Sequence, residues 1–542
     1  MKKFNNYLTS LLIVSLAFIS CDTNNIYPPI TGPSMDKVDL KTDGLDFSNY
    51  IAVGASFTAG FTDGALFIEA QKNSFPNILA SKFAMAGGGS FEQPLMNDNV
   101  GGFVTSSGTV VQSPRLYFNG KTPAVLNATP TTIIGMPVSN AASLNNYGIP
   151  GAKSFHFLAP GYGDAAGLVA SPPTANPYYV RMAPTKSTLL AEIASKKPTF
   201  FTLSEIGGND VLGYATTGGD GSNPITPTAT FNAAFEAIVN TLTANGAKGV
   251  VGNVPYITSL AHFTTVPYNP LDPSNADFSN QIPMLNTIYG ALNQIFSAIG
   301  QENRIITFSE SAASAVVIKD ENLTDLSATI AGALQTSATF TAFVTSLGLP
   351  EAAVPLVAQL MGQQYGQARQ ATSDDLLLLT SSGVIGKVDT DAVAALITQS
   401  GGMLSSTLAA QFSVQGITLP LSDKWVLTPE EQTEIKTAID AYNSEIEIVV
   451  NANENITLID LNAILQEAST SGVAFDNYNM NTSLVFGGLI SLDGVHLTAR
   501  GYALMANKML EAIDAGFGSN FAQATDGLAK ADDYPTNYSP TL

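Results

Sequence analysis

The chain of 542 residues has a single cysteine, three histidines and one tryptophan. One cysteine excludes a disulfide within the chain, and with so few histidines it leaves little material for a zinc or iron–sulfur site. We therefore predict no metal and no cofactor. Charged residues are also scarce, at 12% of the sequence, and acidic residues outnumber basic ones by 44 to 23. The net charge of −21 repels phosphate backbones, which argues against nucleic acid as a partner.

Hydrophobic residues make up 45% of the sequence, enough to bury a substantial core and to exclude an intrinsically disordered chain. The length fits either several domains or a single α/β domain with large insertions. Beyond the N-terminus, no apolar run reaches the roughly 18 residues that indicate a membrane-spanning helix. Any membrane attachment is therefore expected to depend on lipid alone.

The N-terminus predicts export. A short basic region opens the chain, and the apolar stretch over residues 8–20 has the length of a signal-peptide core. The only cysteine, Cys21, follows directly, where cleavage is expected. This arrangement resembles the lipobox of bacterial lipoproteins, with Phe18 where leucine is usual. The resemblance implies a signal peptide at 1–20, lipidation of Cys21 and a lipid anchor in the bacterial cell envelope, whereas the alternative is an ordinary secretory signal.

The residues after the anchor point predict a linker followed by a large domain. Residues 21–46 are rich in proline, glycine and polar side chains, which is typical of a tether. We place the folded domain at 47–516 and a C-terminal tail at 517–542. The anchor is expected in the outer membrane, on either its periplasmic or its surface face.

Within the domain, short apolar runs alternate with helical patterns. Such runs are typical of parallel strands that are covered on both faces. The alternation predicts a right-handed, doubly wound α/β sheet of about five strands. The predicted strands lie at 49–53, 144–148, 198–203, 248–252 and 456–460, and the predicted helices at 74–85, 185–195, 230–244, 284–298 and 429–450.

Two stretches depart from the alternation and are interpreted as insertions. Residues 87–142 are rich in glycine, threonine and asparagine, with a hairpin signal at Asn119-Gly120. Residues 304–423 carry helical patterns of small residues with few charges. Their many leucines supply apolar surface, which argues against disorder.

Four short motifs follow predicted strands or precede the last helical pattern. Ser56 follows the first strand, Gly151 the second and Asn209 the third, while Asp493 and His496 stand three residues apart near the C-terminus. The carboxyl ends of strands are where an open α/β sheet presents functional groups. In this order the motifs resemble the SGNH (GDSL-type) hydrolase family, over nearly all of the chain that follows the tether.

The resemblance implies a role for each of these residues. Ser56 would be the nucleophile, His496 the general base and Asp493 the carboxylate that orients the imidazole. The backbone N–H groups of Ser56 and Gly151 and the side chain of Asn209 would form the oxyanion hole.

The sequence departs from the family pattern close to these motifs. Ala55 stands where the namesake motif has aspartate, which concerns support of the site rather than its chemistry. Glu205 is unusual before the third motif because a partly buried carboxylate needs a partner. His156 and His262 match no motif position, and we interpret both as structural residues.

The resemblance implies a serine esterase or lipase-like hydrolase that acts on lipid or other acyl esters at the envelope. A carbohydrate deacetylase would use the same residues, and a non-catalytic, lipid-anchored ligand-binding protein is the alternative from another class. One tryptophan gives few aromatic platforms for sugars, and a triad serves no purpose in a pure binding protein. The insertion at 304–423 is expected either to cap Ser56 and bind an acyl chain or to form a structural side domain. The sequence leaves the acyl length and the oligomeric state open.

Overall fold

Five parallel strands form the central sheet of the computed structural model, which describes residues 37–182 and 187–542. The strands are β1 (Tyr50–Gly54), β2 (Asn146–Gly148), β3 (Phe200–Leu203), β4 (Lys248–Gly252) and β5 (Ile456–Ile459). Their spatial order is β2–β1–β3–β4–β5, and every neighbouring pair is parallel. The prediction of a five-stranded parallel sheet is confirmed. The strand order changes direction between β1 and β3, and in open α/β sheets such a point leaves a crevice at the carboxyl ends of the strands.

Helices cover the sheet, which explains why its strands are apolar without alternation. They are α1 (Ser56–Ala59), α2 (Phe75–Phe83), α3 (Leu189–Lys196), α4 (Gly208–Thr216), α5 (Thr228–Thr243), α6 (Pro429–Asn451), α7 (Leu461–Thr470) and α8 (Ala499–Phe517). Helix α2 packs against α8, and α5 packs against α3 and α6. These two groups form the helical layers of the doubly wound fold. Every residue of β1 and β3 is buried between them.

The stretch between α2 and β2 contains little regular structure. Arg115, which is fully buried, donates hydrogen bonds to the carbonyls of Asn99 at 2.8 Å and Ser539 at 2.5 Å. It thereby ties this stretch to the C-terminus. The predicted hairpin forms around Asn119. The short strands are Phe103–Val104 paired with Val110–Gln112, and Leu116–Phe118 paired with Pro123–Val125.

A second hydrophobic cluster, distinct from the one around the sheet, extends from Leu271 to Val426. We call residues 271–426 the side unit. It includes the helix Ile282–Ala298, so it begins before residue 304, where the sequence pattern placed the insertion. Its other elements are the helices Ser327–Gln335, Ala338–Ser346, Val354–Tyr365, Thr390–Gln399 and Ser406–Gln411 and the strands Val317–Lys319, Ala368–Gln370, Leu376–Leu377 and Val426–Leu427.

The chain divides into Met1–Asp39 and a second unit, Leu40–Leu542. The predicted signal peptide and Cys21 lie outside the described residues. The sequence pattern assigned residues 517–542 to a tail. Phe517 instead ends α8, and the residues after it pack onto the domain, with Phe521 and Tyr538 buried. Within the described ranges, no single helix is long and apolar enough to cross a membrane. The helical segments Ala338–Ser346 and Glu351–Tyr365 reach that length and hydropathy only when they are taken together, and they are bent by 113° relative to each other.

Candidate active site

Ser56 lies directly beyond β1, in the first turn of the very short helix α1. A Cβ at Gly54 would collide with Thr58 Oγ1 and lie 2.7 Å from the carbonyl oxygen of Ser204, so a side chain does not fit there. Helix α1 ends at Gly60, whose φ of +80° lies in the left-handed region that glycine adopts freely. Glycines on both sides thus shape the tight turn that places Ser56 at the edge of the sheet.

The three residues predicted to form the triad lie in one hydrogen-bonded chain. His496 Nε2 is 2.9 Å from Ser56 Oγ, and His496 Nδ1 is 2.9 Å from Asp493 Oδ2. The imidazole can therefore accept a proton from the serine through one nitrogen while the carboxylate binds the other. The fold brings Ser56 and His496 together across 440 positions of sequence.

Asp493 is fixed by donors on both of its oxygens. Oδ1 accepts hydrogen bonds from the backbone N–H groups of Val495 and His496, both at 2.9 Å, and from Ser491 Oγ at 3.0 Å. Oδ2 accepts one from the backbone N–H of Gly64 at 2.8 Å. Burial alone would raise the pKa of this carboxyl, but His496 and the backbone donors hold the pKa well below its usual range. Asp493 therefore remains ionised and fixes the orientation of the imidazole.

A loop after α1 supports this arrangement, although no motif in the sequence points to it. Asp63 Oδ1 accepts a hydrogen bond from the backbone N–H of Leu492 at 3.1 Å, and the N–H of Asp63 donates to Ser491 Oγ at 3.1 Å. Burial raises the pKa of Asp63 to about 7. The Asp63-Gly64 pair is a local turn signal, but nothing in the sequence indicates a partner 429 positions away.

Two phenylalanines flank the imidazole of His496. The ring centroid of Phe61 is 4.5 Å from that of His496, and the ring centroid of Phe57 is 5.8 Å away. Tyr502, on α8, donates a hydrogen bond to the carbonyl of Phe61 at 2.5 Å. The imidazole is therefore held by packing as well as by its hydrogen bonds.

Of the residues predicted for the oxyanion hole, Ser56 and Asn209 lie in the first turns of α1 and α4, and Gly151 lies in the loop after β2. Gly151 has a φ of +78°, in the left-handed region that glycine adopts freely. Asn209 Nδ2 donates to the carbonyl of Ala152 at 3.0 Å, which binds the third motif to the second. Asp210 strengthens this link because its carboxylate accepts hydrogen bonds from the N–H of Ser154 at 2.9 Å and its hydroxyl at 2.7 Å.

Glu205 contacts the nucleophile turn directly. Its Oε1 accepts hydrogen bonds from the backbone N–H groups of Ala55 at 2.7 Å and Thr58 at 3.1 Å. Its Oε2 contacts the hydroxyls of Ser204 and Thr58. Burial raises the pKa of Glu205 to about 7, although these hydrogen bonds act in the opposite direction. A carboxylate thus binds this turn from the end of β3, in a chain that has Ala55 where the namesake motif has aspartate.

The other two histidines hold loops in place. His156 Nδ1 accepts a hydrogen bond from the backbone N–H of Lys153 at 3.0 Å, and its ring stacks on Tyr162. Burial lowers the pKa of His156 to about 4, so it is neutral near pH 7. The backbone N–H of His262 donates to the carbonyl of Gly494 at 2.8 Å and so supports the turn between Asp493 and His496.

An apolar cavity of about 100 Å³ opens beside Ser56. No residue of 304–423 lines it, so the domain's own helices rather than a cap from the insertion form its wall. The insertion does come close to the turn between Asp493 and His496, since Leu379 Cδ2 lies 3.0 Å from the position that a Cβ on Gly494 would take. The apolar lining residues include Phe57, Leu212, Ile257, Leu260, Leu461, Ile464, Leu465, Leu489, Leu504 and Met505.

Comparison with protein-family models, with curated proteins and with solved structures found no match to this chain. The basis for a functional assignment is therefore the geometry of the site and the motifs that form it.

Proposed function

We propose that this protein is a serine ester hydrolase with Ser56 as nucleophile, His496 as general base and Asp493 as the residue that orients the base. The observation that carries the proposal is the continuous chain of hydrogen bonds from Ser56 Oγ through His496 to Asp493, with 2.9 Å at each step. A nucleophile, its base and the group that holds the base in one tautomer are the three parts that acyl transfer requires.

The geometry supports a two-step reaction. Ser56 Oγ attacks the ester carbonyl while His496 Nε2 takes its proton, and the same proton then passes to the departing alkoxide. Water, deprotonated by His496, hydrolyses the acyl-enzyme and releases the acid. The negative oxygen formed in each step would be stabilised by the N–H groups of Ser56 and Gly151 and by Asn209.

The cavity beside Ser56 favours an acyl ester over the carbohydrate alternative. Its lining is apolar apart from a few residues such as Asn209 and Glu205, so it offers little to a sugar hydroxyl and much to a hydrocarbon chain. The triad also argues against the ligand-binding alternative, because binding alone does not need a serine hydrogen-bonded to an oriented imidazole.

Attachment to the bacterial envelope is part of the proposal and is supported by the N-terminal sequence alone. Cys21→Ser should abolish incorporation of a labelled fatty acid and release the protein from the membrane fraction. A variant that remains membrane-bound would contradict lipidation of Cys21, whereas Ser10→Ala within the apolar stretch serves as the control.

Covalent labelling with a phosphonate ester probe tests the catalytic role. We expect one labelled peptide, which contains Ser56, and no labelling after Ser56→Ala or His496→Ala. The exposed Ser107, replaced by alanine, provides a control that should label normally. Labelling of the folded protein at any other residue, or no labelling at all, would overturn the proposal.

A further inference from the structure

Three carboxylates outside the candidate active site converge on one point. One oxygen from each of Glu321, Asp423 and Glu431 lies within 4.8 Å of the other two, and we call these residues the acidic cluster. Glu321 and Asp423 belong to the side unit, whereas Glu431 lies in the first turn of α6. None of the three lines the cavity at Ser56.

Glu431 has one oxygen in use and one free. Its Oε2 accepts hydrogen bonds from the backbone N–H of Thr428 at 2.7 Å and from Thr428 Oγ1 at 2.9 Å, which completes the cap of α6. Its Oε1 is buried without a hydrogen-bond partner, on a residue that is only 3% exposed. Oε1 is therefore an unsatisfied acceptor on a buried member of the acidic cluster.

Asp423 carries a second unsatisfied oxygen. Its Oδ1 is also buried without a hydrogen-bond partner. Across residues 37–182 and 187–542, no lysine or arginine forms an ion pair within 4.0 Å with any member of the acidic cluster. Lys319 lowers the pKa of Asp423 by its charge but forms no ion pair with it, and Lys424 Nζ lies over the ring of Trp425 at 5.0 Å. Burying unpaired carboxylate oxygens is costly, so this concentration of negative charge requires a positive partner or a proton.

The loop after α4 packs closely against the acidic cluster. A Cβ at Gly219 would collide with Glu431 Oε1, and one at Gly218 would collide with the backbone carbonyl of Asp423. Both glycines have positive φ, at +62° for Gly218 and +75° for Gly219. The backbone of this loop therefore lies beside Glu431 Oε1 at a position where no side chain fits.

We propose that Glu321, Asp423 and Glu431 bind a divalent cation of the calcium type, which links the side unit to the first turn of α6. Oxygen-only ligands suit Ca²⁺ and not the metals that prefer cysteine or histidine. Oxygens bound at about 2.4 Å to one Ca²⁺ are at most about 4.8 Å apart, and the three carboxylates are close enough together to meet this limit. Water and backbone carbonyls would complete the irregular coordination that Ca²⁺ accepts more readily than Mg²⁺ does.

The first experiment uses the unmodified protein and terbium, a luminescent substitute for Ca²⁺. Trp425 is the only tryptophan and stands two residues from Asp423, so selective excitation of tryptophan should sensitise terbium bound at the acidic cluster. We expect sensitised emission that saturates at one terbium per chain and that Ca²⁺ displaces. Absence of sensitised emission, or emission that Ca²⁺ does not displace, would overturn the proposal.

The second experiment compares variants by calorimetric titration with Ca²⁺ after chelation. Glu431→Gln keeps an oxygen for the cap of α6 but removes the negative charge. Asp423→Asn removes the negative charge of the second ligand. Each should weaken Ca²⁺ binding at least ~10-fold, because the site loses one of three anionic ligands. Glu430→Gln is the matched control: the same change in the same turn, at an exposed residue outside the acidic cluster.

Thermal unfolding separates a cation from a shared proton. With a bound cation, Ca²⁺ raises the Tm of the wild type and of Glu430→Gln, and raises it much less for Glu431→Gln. If the carboxylates instead share a proton, Ca²⁺ leaves every Tm unchanged and Glu431→Gln stabilises the protein without Ca²⁺, which would refute the cation site. Ester hydrolysis by the chelated protein reports separately on Ser56, so failure of one proposal is distinguishable from failure of the other.

Discussion

Glu205 is predicted to be a positioning residue for the nucleophile, and two substitutions test this. Its Oε1 accepts both the Ala55 and the Thr58 N–H bonds of the turn that carries Ser56. Glu205→Gln keeps a carbonyl oxygen of the same reach, so both hydrogen bonds survive. Glu205→Ala removes the acceptor and leaves two buried N–H groups without partners.

The magnitudes differ accordingly. Each unsatisfied buried N–H costs about 1–3 kcal/mol, so Glu205→Ala should lower the free energy of unfolding by about 2–6 kcal/mol before any cavity is counted. Ser56 would also lose its fixed position, which should reduce kcat more than it changes KM. Glu205→Gln should cost less in both respects, because the acceptor is retained.

The charge of Glu205 adds a pH dependence whose sign is fixed by its environment. Burial raises the pKa of Glu205 from 4.5 to about 7, so the folded protein binds this proton more tightly than the unfolded chain does. The stabilisation is complete below pH 4.5 and is lost as the pH rises through about 7. A shift of this size corresponds to about 3 kcal/mol. Glu205→Gln cannot titrate and should lack this part of the pH dependence.

Urea unfolding at several pH values on either side of neutrality measures the stability of the wild type and of both variants. Steady-state ester hydrolysis measures their kcat and KM. Glu447→Gln, an exposed carboxylate on α6, controls for the loss of one charge. A positioning role for Glu205 is refuted if Glu205→Ala unfolds at the same urea concentration as the wild type and retains its kcat. Titration of Glu205 near neutral pH is refuted if the stability of Glu205→Gln has the same pH dependence as that of the wild type.

Three further predictions concern the triad, the cavity and the C-terminal segment. Asp493→Asn should lower kcat by about 10⁴-fold with an unchanged circular dichroism spectrum, because the imidazole loses its orienting carboxylate; a near-normal kcat would remove Asp493 from the mechanism. Leu465→Trp should fill the cavity and reduce hydrolysis of octanoyl esters far more than of acetyl esters, with exposed Ile448→Trp as the control; equal losses would exclude this cavity as the acyl site. Phe521→Ala should cost about 3–5 kcal/mol in urea unfolding, because Phe521 is fully buried, whereas a loss below 1 kcal/mol would show that the segment does not belong to the core.

The features that could be predicted from the sequence are local ones. The strands of the sheet are short apolar runs, and the runs at 49–53 and 198–203 predict β1 and β3 to within two residues at either end. The candidate triad could be identified because the motif around Ser56 and the Asp493–His496 pair are each compact in sequence. Their meeting in space follows from the topology, since parallel strands present their carboxyl ends at one edge.

The features that could not be predicted depend on pairs without a local signal. The sequence shows that Glu205 needs a partner, but it does not show which one, because Ala55 and Thr58 are about 150 positions away. Within the small-residue helical patterns of 304–423, the helices Thr390–Gln399 and Ser406–Gln411 are separated near Gly401, whose left-handed φ of +60° composition alone does not reveal. The acidic cluster also lacks a local signal, because the fold brings Glu321 to Asp423 and Glu431 from about 100 positions away.

The buried carboxylates among these features share one physical cause. With 44 acidic and 23 basic residues, the chain cannot give every buried carboxylate a basic partner in the way that Arg369 pairs with Asp320 and Asp375. Buried carboxyls must instead use backbone N–H groups, hydroxyls, protons or cations. Burial accordingly raises the pKa of Asp63 and Asp423 to about 7 and that of Glu431 to about 8, as it does for Glu205.

The raised pKa values of these four carboxyls affect how the stability of the whole molecule depends on pH. Because each of these groups holds its proton more tightly in the folded state, they together make the free energy of unfolding fall as the pH rises from about 5 to 8. Asp493 acts in the opposite direction, but its pKa is so low that its contribution is lost only in strong acid. Ca²⁺ at the acidic cluster would favour the ionised forms of Asp423 and Glu431 and so remove their part of this decline. Stability measured against pH should therefore flatten above neutrality when Ca²⁺ is added, and the part that remains belongs to Glu205 and Asp63.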